Sequence, residues 1–295
     1  MTPIALRSLL FVPANVPKFV SKASTSAADV VVLDLEDGVA PDQKQSARGV
    51  VAEHARQASE NGKPVFIRIN SDLGNAVRDV ESALSSHVRG IVVPKVEGPD
   101  HIVLLADYVA EIERQKQLPE GATEFILLIE TAKAFLNIDE ILRASPRIVS
   151  VAFGDEDFSA EIGCAPSSEN MIAYKHQLVV SATRANVRAL GLFSSIAEFR
   201  DMNAFRTGAE RARAVGMKGS FCIHPAQVDV LNQTFSPSEQ EIATAREVCD
   251  VFEEAVSNGA GAISFNGKMI DRPIYNQARA VLDCSGLSDH VRRGA

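Results

Sequence analysis

The chain has 295 residues, 46% hydrophobic and 23% charged, with a formal net charge of −8. That profile fits one large soluble domain or two smaller ones, and the acidic balance argues against general nucleic-acid binding while leaving room for a local basic pocket. No apolar run is long enough to span a bilayer, the start MTPIALRSLLFVPANVPKF carries no small-residue cleavage signal, and Cys164, Cys222, Cys249 and Cys284 form no CxxC pair of the kind used for zinc or a disulfide framework. The expectation is a cytoplasmic enzyme with neither membrane nor nucleic-acid partner.

In chain order, short β-rich apolar runs alternate with longer amphipathic stretches. The runs are LRSLLFVP (6–13), VVVLDLED (30–37), PVFIRIN (64–70), GIVVPKV (90–96), EFILLIE (124–130), IVSVAFG (148–154), RALGLF (188–193) and GSFCIHP (219–225). Helical patterns such as DQKQSARGVVAEHARQASE and SENMIAYKHQLVVSATRAN lie between them. Eight strand–helix repeats within about 235 residues predict an α/β fold, a (β/α)8 TIM barrel over 1–235. A doubly wound sheet is the second choice, because the first strand lacks the G-x-G-x-x-G of a dinucleotide site.

The pattern changes near Phe235. SPSEQ reads as a boundary with Ser238 as helix N-cap, followed by SEQEIATAREVCDVFEEAVSNG. Asn266-Gly267 predicts a hairpin, and RPIYNQARAVLDCSG a last helix. Residues 236–295 are expected to form a small C-terminal extension, a lid or oligomerisation element, too small for an independent core.

Chemistry in such barrels sits at the C-terminal strand ends. Strand two ends in Asp34, Glu36 and Asp37, strand three in Arg68 and Asn70, strand four in Lys95 and Glu97, and strand five in Glu130 and Thr131. Strand six ends in Asp155, Glu156 and Asp157, and strand eight in His224-Pro225. The two-residue period puts Asp34 with Glu36 and Arg68 with Asn70 on the mouth side, opposite Leu33, Leu35, Ile67 and Ile69. Any one acidic end usually reads as a solvated turn, but five converge here. Carboxylates without cysteine favour a hard cation such as Mg2+, with Mn2+ the alternative ion. An arginine beside it can grip a carboxylate in a two-pronged fork. That equipment suits a 2-oxo or 2-hydroxy acid and carbon–carbon cleavage next to a carbonyl.

The motifs RSLLFVP, VVLDLEDGVAP, IRIN, VPKVE, LLIETAKAFLNIDEI, AFGDEDFSAEIG and IHPAQV, in this order over nearly the whole chain, resemble the citrate lyase beta-subunit-like and malyl-CoA lyase family. The tail FNGKMIDRPIYNQAR resembles that of its stand-alone, CoA-dependent members. The resemblance implies Mg2+-dependent retro-Claisen cleavage of a 3-hydroxyacyl-CoA thioester, such as malyl-CoA or citramalyl-CoA, to acetyl-CoA and a 2-oxo acid. It implies Glu130 and Asp157 as metal ligands and Arg68 as the holder of the 2-oxo acid. Asp271 matches an acid/base delivered from a neighbouring subunit of a homotrimer or dimer of trimers, and Glu36 and Asp37 match acids around the metal's outer shell. Arg7 and Lys18 are the candidates for the CoA phosphates.

Each residue also has a plainer reading. Glu130 can be a helix-start acid, Asp157 a cap, Arg68 a structural ion-pair partner, Asp271 an N-cap and His224 a satisfied mouth histidine. Ser194 and Ser195, in GLFSSIAEFRD, stand where many relatives carry a longer segment with an aspartate, which bears on the acyl pocket. Competing activities are a malyl-CoA thioesterase or synthase, a citrate lyase beta subunit acting on citryl-acyl carrier protein, a Mg2+-dependent aldolase on free hydroxy-keto acids, and a silent scaffold.

Overall fold

A computed structural model describes residues 4–166, 169–197 and 199–284. All eight apolar runs form strands: β1 (Ser8–Pro13), β2 (Val30–Asp34), β3 (Val65–Arg68), β4 (Gly90–Val93), β5 (Glu124–Ile129), β6 (Ile148–Phe153), β7 (Arg188–Leu190) and β8 (Ser220–Cys222). Every pair is parallel, in the order β7-β6-β5-β4-β3-β2-β1-β8. Backbone bonds from Lys218 N to Ala189 O and from Gly191 N to Gly219 O, both 2.9 Å, bridge β7 to β8 and bring the sheet around into a barrel.

Helices follow the strands: α1 (Pro17–Ser24), α2 (Lys44–Ala58), α3 (Leu73–Ala83), α4 (Pro99–Gln115), α5 (Ala132–Leu136), α6 (Ile138–Ile141), α7 (Asp155–Ile162), α8 (Asn170–Arg184), α9 (Met202–Ala214) and α10 (Pro225–Phe235). Because side chains alternate along a strand, each strand supplies two cores. Leu33, Leu35 and Ile67 pack outward with Val51 and Ala55 of α2. Leu9, Val30, Val32, Phe66, Ile126 and Leu128 fill the barrel interior. Each such side chain, fully buried, contributes about 1.5–3 kcal/mol.

The interior rows position the site. Val30 and Val32 point inward, so Asp34 is the next inward position of β2. By the same count Arg68 follows Phe66, Glu130 follows Leu128 and Gly154 follows Ala152. Hydrophobic layers thus end in a polar layer at the C-terminal end of the strands.

Asn70 departs from expectation. It is buried, its Nδ2 donates to Leu35 O at 2.8 Å and to Asp79 Oδ2 at 2.7 Å, and its backbone N–H donates to Asp79 at 2.8 Å. β3 ends at Arg68, so the two-residue period no longer governs position 70. Asp79 is held in turn by Arg48 Nε of α2 at 2.7 Å, which makes Asn70 part of a buried strut between β3, α3 and α2.

The chain divides into two compact units between residues 235 and 236. The second contains α11 (Glu239–Ser257), a hairpin of β9 (Ile263–Phe265) and β10 (Lys268–Ile270), and α12 (Arg272–Cys284). Ser238 starts α11 with a capping box, its hydroxyl accepting from Glu241 N and its own N–H donating to Glu241. Contrary to expectation this unit has a core of its own, with Val248, Cys249, Phe252, Ile270, Ala278 and Leu282 buried together. The apolar faces of α11 and α12 are long enough to bury one another. Among the described residues no helix is long and apolar enough to cross a membrane.

Candidate active site

Asp34 and Arg68 are register partners on β2 and β3. The guanidinium forks onto the carboxylate, Nε to Oδ1 at 2.7 Å and Nη2 to Oδ2 at 2.6 Å. Asp34 also accepts from Glu36 N at 2.8 Å and Gly38 N at 2.7 Å, so it shapes the loop after β2. Lys44 Nζ fixes the same loop by donating to the Leu35 and Glu36 carbonyls at 2.7 and 2.5 Å. Burial alone would lower the Arg68 pKa. The hydrogen bonds and charges of Asp34, with Glu36 and Asp37, push it up instead, so the guanidinium stays charged. Its third nitrogen, Nη1, lies 3.3 Å from both Glu36 and Asp37, and the group sits 4.6 Å above the Phe11 ring.

Glu130 follows β5 and is 6% exposed. Its Oε2 accepts from Lys95 N at 2.6 Å, and Lys95 adopts φ 47° to present that N–H. A Cβ on Gly154 would lie 2.3 Å from Glu130 Cγ, so only glycine leaves room for this carboxylate. Burial, with the nearby Asp157 charge, raises Glu130 to about 7 against the bond from Lys95. Glu36 is raised to about 7 by burial, with Asp37 and Glu130 adding to it and Arg68 and Lys95 opposing. Among the described residues, neither Glu36 oxygen accepts a hydrogen bond. Lys95 Nζ, 3.8 Å from Glu36, is raised by these carboxylates despite partial burial.

Asp155, Glu156 and Asp157 form the first turn of α7, where the helix dipole favours negative charge. They part company in their contacts. Asp155 pairs with Lys175 Nζ of α8 at 2.6 Å, and burial lifts its pKa to about 6 against that pairing. Glu156 accepts from Ser195 Oγ at 2.5 Å. No hydrogen bond or ion pair joins Asp157 to a described residue. It is exposed, and its charge is felt at Glu130 and Lys95.

Asp34, Asp37, Arg68, Glu130 and Asp157 line one cavity of about 880 Å3. Its walls include Phe11 and Phe221, stacked with centroids 4.7 Å apart. Phe19 and Lys22 of α1 line it too, and Lys22 is the cation that the sequence reading missed; the signal was its place one turn after Lys18. Lys18 itself is exposed in the first turn of α1. Arg7 corrects an expectation: it precedes β1, at the barrel end opposite the mouth, and its guanidinium meets Asp29 at 2.9 and 2.6 Å. His224 lines the cavity, stacks on Phe199 at 5.4 Å and accepts from Ala226 N at 3.2 Å, as a satisfied mouth histidine would. Asp271 lies in the second unit, where its Oδ1 accepts from Ile274 N at 3.3 Å and caps α12.

Among the described residues no three His, Cys, Asp or Glu side chains converge as a complete metal cage. Mg2+ does not need one, since it keeps water and substrate oxygens and takes one or two carboxylates from the protein. The all-oxygen pair Glu130 and Asp157, with the hydrogen-bond-free oxygens of Glu36 nearby, fits such an ion.

A family model described as HpcH/HpaI aldolase/citrate lyase matches residues 7–225. The citrate lyase subunit beta-like protein of Deinococcus radiodurans is 34% identical over 95% of this chain and 97% of its own. The mitochondrial citramalyl-CoA lyase of Homo sapiens is 34% identical over 94% of this chain and 84% of its own. Among solved structures, protein CitE from Mycobacterium tuberculosis in complex with magnesium, acetoacetate and coenzyme A superposes with a TM-score of 0.76 at 28% identity, covering 96% of this chain and 98% of that one.

Proposed function

The chain belongs to the HpcH/HpaI aldolase/citrate lyase family and is a lyase, and from that premise we propose that it cleaves a 3-hydroxyacyl-CoA thioester, malyl-CoA or citramalyl-CoA, to acetyl-CoA and a 2-oxo acid with Mg2+. The observation that carries this reading is one cavity that joins a fixed guanidinium, Arg68, to the carboxylates Glu130 and Asp157.

Glu130 and Asp157 would hold the ion. When bound, it would draw negative charge from the substrate's oxygen atoms. Arg68, oriented by Asp34, binds the carboxylate of the 2-oxo acid portion and stabilises charge as the carbon–carbon bond breaks. The substrate hydroxyl passes its proton to water, its oxygen becomes the carbonyl of the 2-oxo acid as the bond to the acetyl-thioester carbon breaks, and the electron pair stays on that carbon. Asp271, supplied by a neighbouring subunit of a trimer, relays a proton from water to that carbon. Glu36 would accept hydrogen bonds from water beside the ion. Lys18 and Lys22, at the rim, face the CoA phosphates.

The reading is tested by offering malyl-CoA, citramalyl-CoA and citryl-CoA beside the free acids and following acetyl-CoA, 2-oxo acid and free CoA separately. Equal release of acetyl-CoA and 2-oxo acid from one thioester supports it. Free CoA without 2-oxo acid points to a thioesterase, and turnover of free acids alone points to an aldolase. Glu130→Ala is expected to remove metal binding and activity, and Asp271→Asn to remove catalysis while sparing the metal.

A further inference from the structure

Lys175 lies on α8 and is 1% exposed. Its ammonium pairs with Asp155 Oδ1 at 2.6 Å, donates to the Leu192 carbonyl at 2.5 Å and sits 5.1 Å from the centre of the Phe193 ring. Three separate pieces of chain therefore meet on one nitrogen: α8, the first residue of α7 and the segment that leaves β7. A lysine charge is strongly disfavoured inside a protein unless it is paired, and an apolar side chain at this place would carry no such desolvation penalty. What the charge provides is direction. Asp155 and Asp157 belong to one helical turn, so fixing the first fixes the backbone that carries the second.

A second tie reinforces the first. Ser195 Oγ donates to Glu156 Oε1 at 2.5 Å, and Ala197 N donates to Ser195 Oγ at 3.1 Å. Both ties join the first turn of α7 to residues 192–197. All three consecutive acids border the cavity; two are thus anchored through their side chains, and Asp157 is the one without such a tie among the described residues. Glu130 is fixed independently by Lys95 N and by the space at Gly154. The distance between Glu130 and Asp157 is set on one side by β5 and on the other by this brace.

Resting on the reading of Glu130 and Asp157 as the metal-holding pair, we propose that Lys175 is a positioning residue. Through Asp155 and the Leu192 carbonyl it holds the first turn of α7 against the exit of β7 and so sets the place of the Asp157 carboxylate. It touches neither substrate nor ion. Its loss would show first as weakened metal binding, because two ligands spaced wrongly bind one ion poorly.

The test uses the full chain and Mn2+ as the probe, with free Mn2+ read by electron paramagnetic resonance and folding read by circular dichroism and Tm without metal. Lys175→Met is expected to weaken Mn2+ binding tenfold or more, and Lys175→Arg to restore most of it. Asp155→Asn, which keeps the side-chain shape, is expected to weaken it comparably, with the double variant no worse than the weaker single one. Asp155→Asn carries the test should Lys175→Met fail to fold. Folded Lys175→Met or Asp155→Asn protein that binds Mn2+ within twofold of the wild type overturns the positioning role and leaves the metal reading intact. Wild-type protein that does not bind Mn2+ overturns the metal reading itself, and the brace's proposed purpose with it.

Discussion

Asp34 and Arg68, partners on neighbouring strands, make a two-pronged contact of 2.7 and 2.6 Å at the top of the barrel interior. The same carboxylate holds the loop that carries Glu36 and Asp37. One aspartate therefore sets the orientation of the guanidinium and the shape of the loop beside it.

Replacing Asp34 with Asn keeps the shape and removes the charge. A hydrogen bond to a charged group contributes about 1.5–3 kcal/mol, so kcat/KM is expected to fall by roughly 10- to 100-fold. Inhibition by the 2-oxo acid product should weaken in parallel, because Arg68 loses its fixed direction. Steady-state kinetics with product inhibition checks this; unchanged values would place the fork outside the reaction.

Gly154 and Gly49 make a matched pair. A methyl group at Gly154 collides with Glu130 Cγ at 2.3 Å, while one at Gly49 on α2 meets nothing within 4 Å. Gly154→Ala is expected to displace Glu130 and reduce Mg2+-dependent activity at least 100-fold. Gly49→Ala is expected to keep activity and raise stability by about 0.5–1 kcal/mol, as alanine does in a helix. Thermal unfolding and activity on both proteins read the contrast.

The carboxylates also predict a pH response. Glu130 and Glu36 are raised from 4.5 to about 7, and Asp155 from 3.8 to about 6, in each case chiefly by burial. The folded chain therefore binds more protons than the unfolded chain between these values. The resulting stability is complete below pH 4 and is lost as pH rises through about 6 to 7. Glu113 acts elsewhere: despite its burial, Arg147, Thr123 and Gly121 hold it down at about 2, so its contribution is present above pH 4.5 and is lost only in acid. Metal-free protein should thus lose Tm from pH 5 to pH 8, and the Tm gained on adding Mg2+ should grow over the same range, since the ion binds the deprotonated form. Glu130→Gln should flatten both slopes. A metal-free Tm that climbs steadily across that range would contradict the assignment.

Asp79, fully buried, accepts from Arg48 Nε at 2.7 Å and from Asn70 at 2.7 and 2.8 Å. Asp79→Ala leaves a buried guanidinium and a buried amide without their partner. The expected loss is about 3–5 kcal/mol of stability, with KM retained at low temperature because the strut lies behind the strand. Denaturant unfolding and low-temperature kinetics separate the two effects.

Much of this was legible in the sequence. The strand runs announced themselves by β-branched content and by the turn residues between them, and strand-end arithmetic led to Asp34, Glu36, Arg68, Glu130 and the triplet Asp155, Glu156 and Asp157, from which the family resemblance singled out Asp157. The interior count would also have led to Gly154, two residues beyond interior-filling Ala152. Two residues past the end of β3 the count no longer holds: Asn70 turned to a partner nine residues later on α3, and nothing in IRIN specifies that. Lys175 gave no local signal, because a lysine in an amphipathic helix reads as solvated until the chain brings Asp155 to it. Arg7 was a different failure. Its place at the start of the run LRSLLFVP already put it at the barrel end opposite the mouth, and the direction of the strand was enough to say so.

The central claim is that an ion held by Glu130 and Asp157, beside Arg68, supports carbon–carbon cleavage of a 3-hydroxyacyl-CoA. It is tested most directly by stripping the protein of divalent metal, titrating Mg2+ back with malyl-CoA and citramalyl-CoA present, and following 2-oxo acid release. The account predicts no release without metal, saturable recovery on Mg2+ addition, and no recovery in Glu130→Gln. Release that persists undiminished in the stripped wild-type protein, or that Mg2+ restores equally in Glu130→Gln, would contradict it.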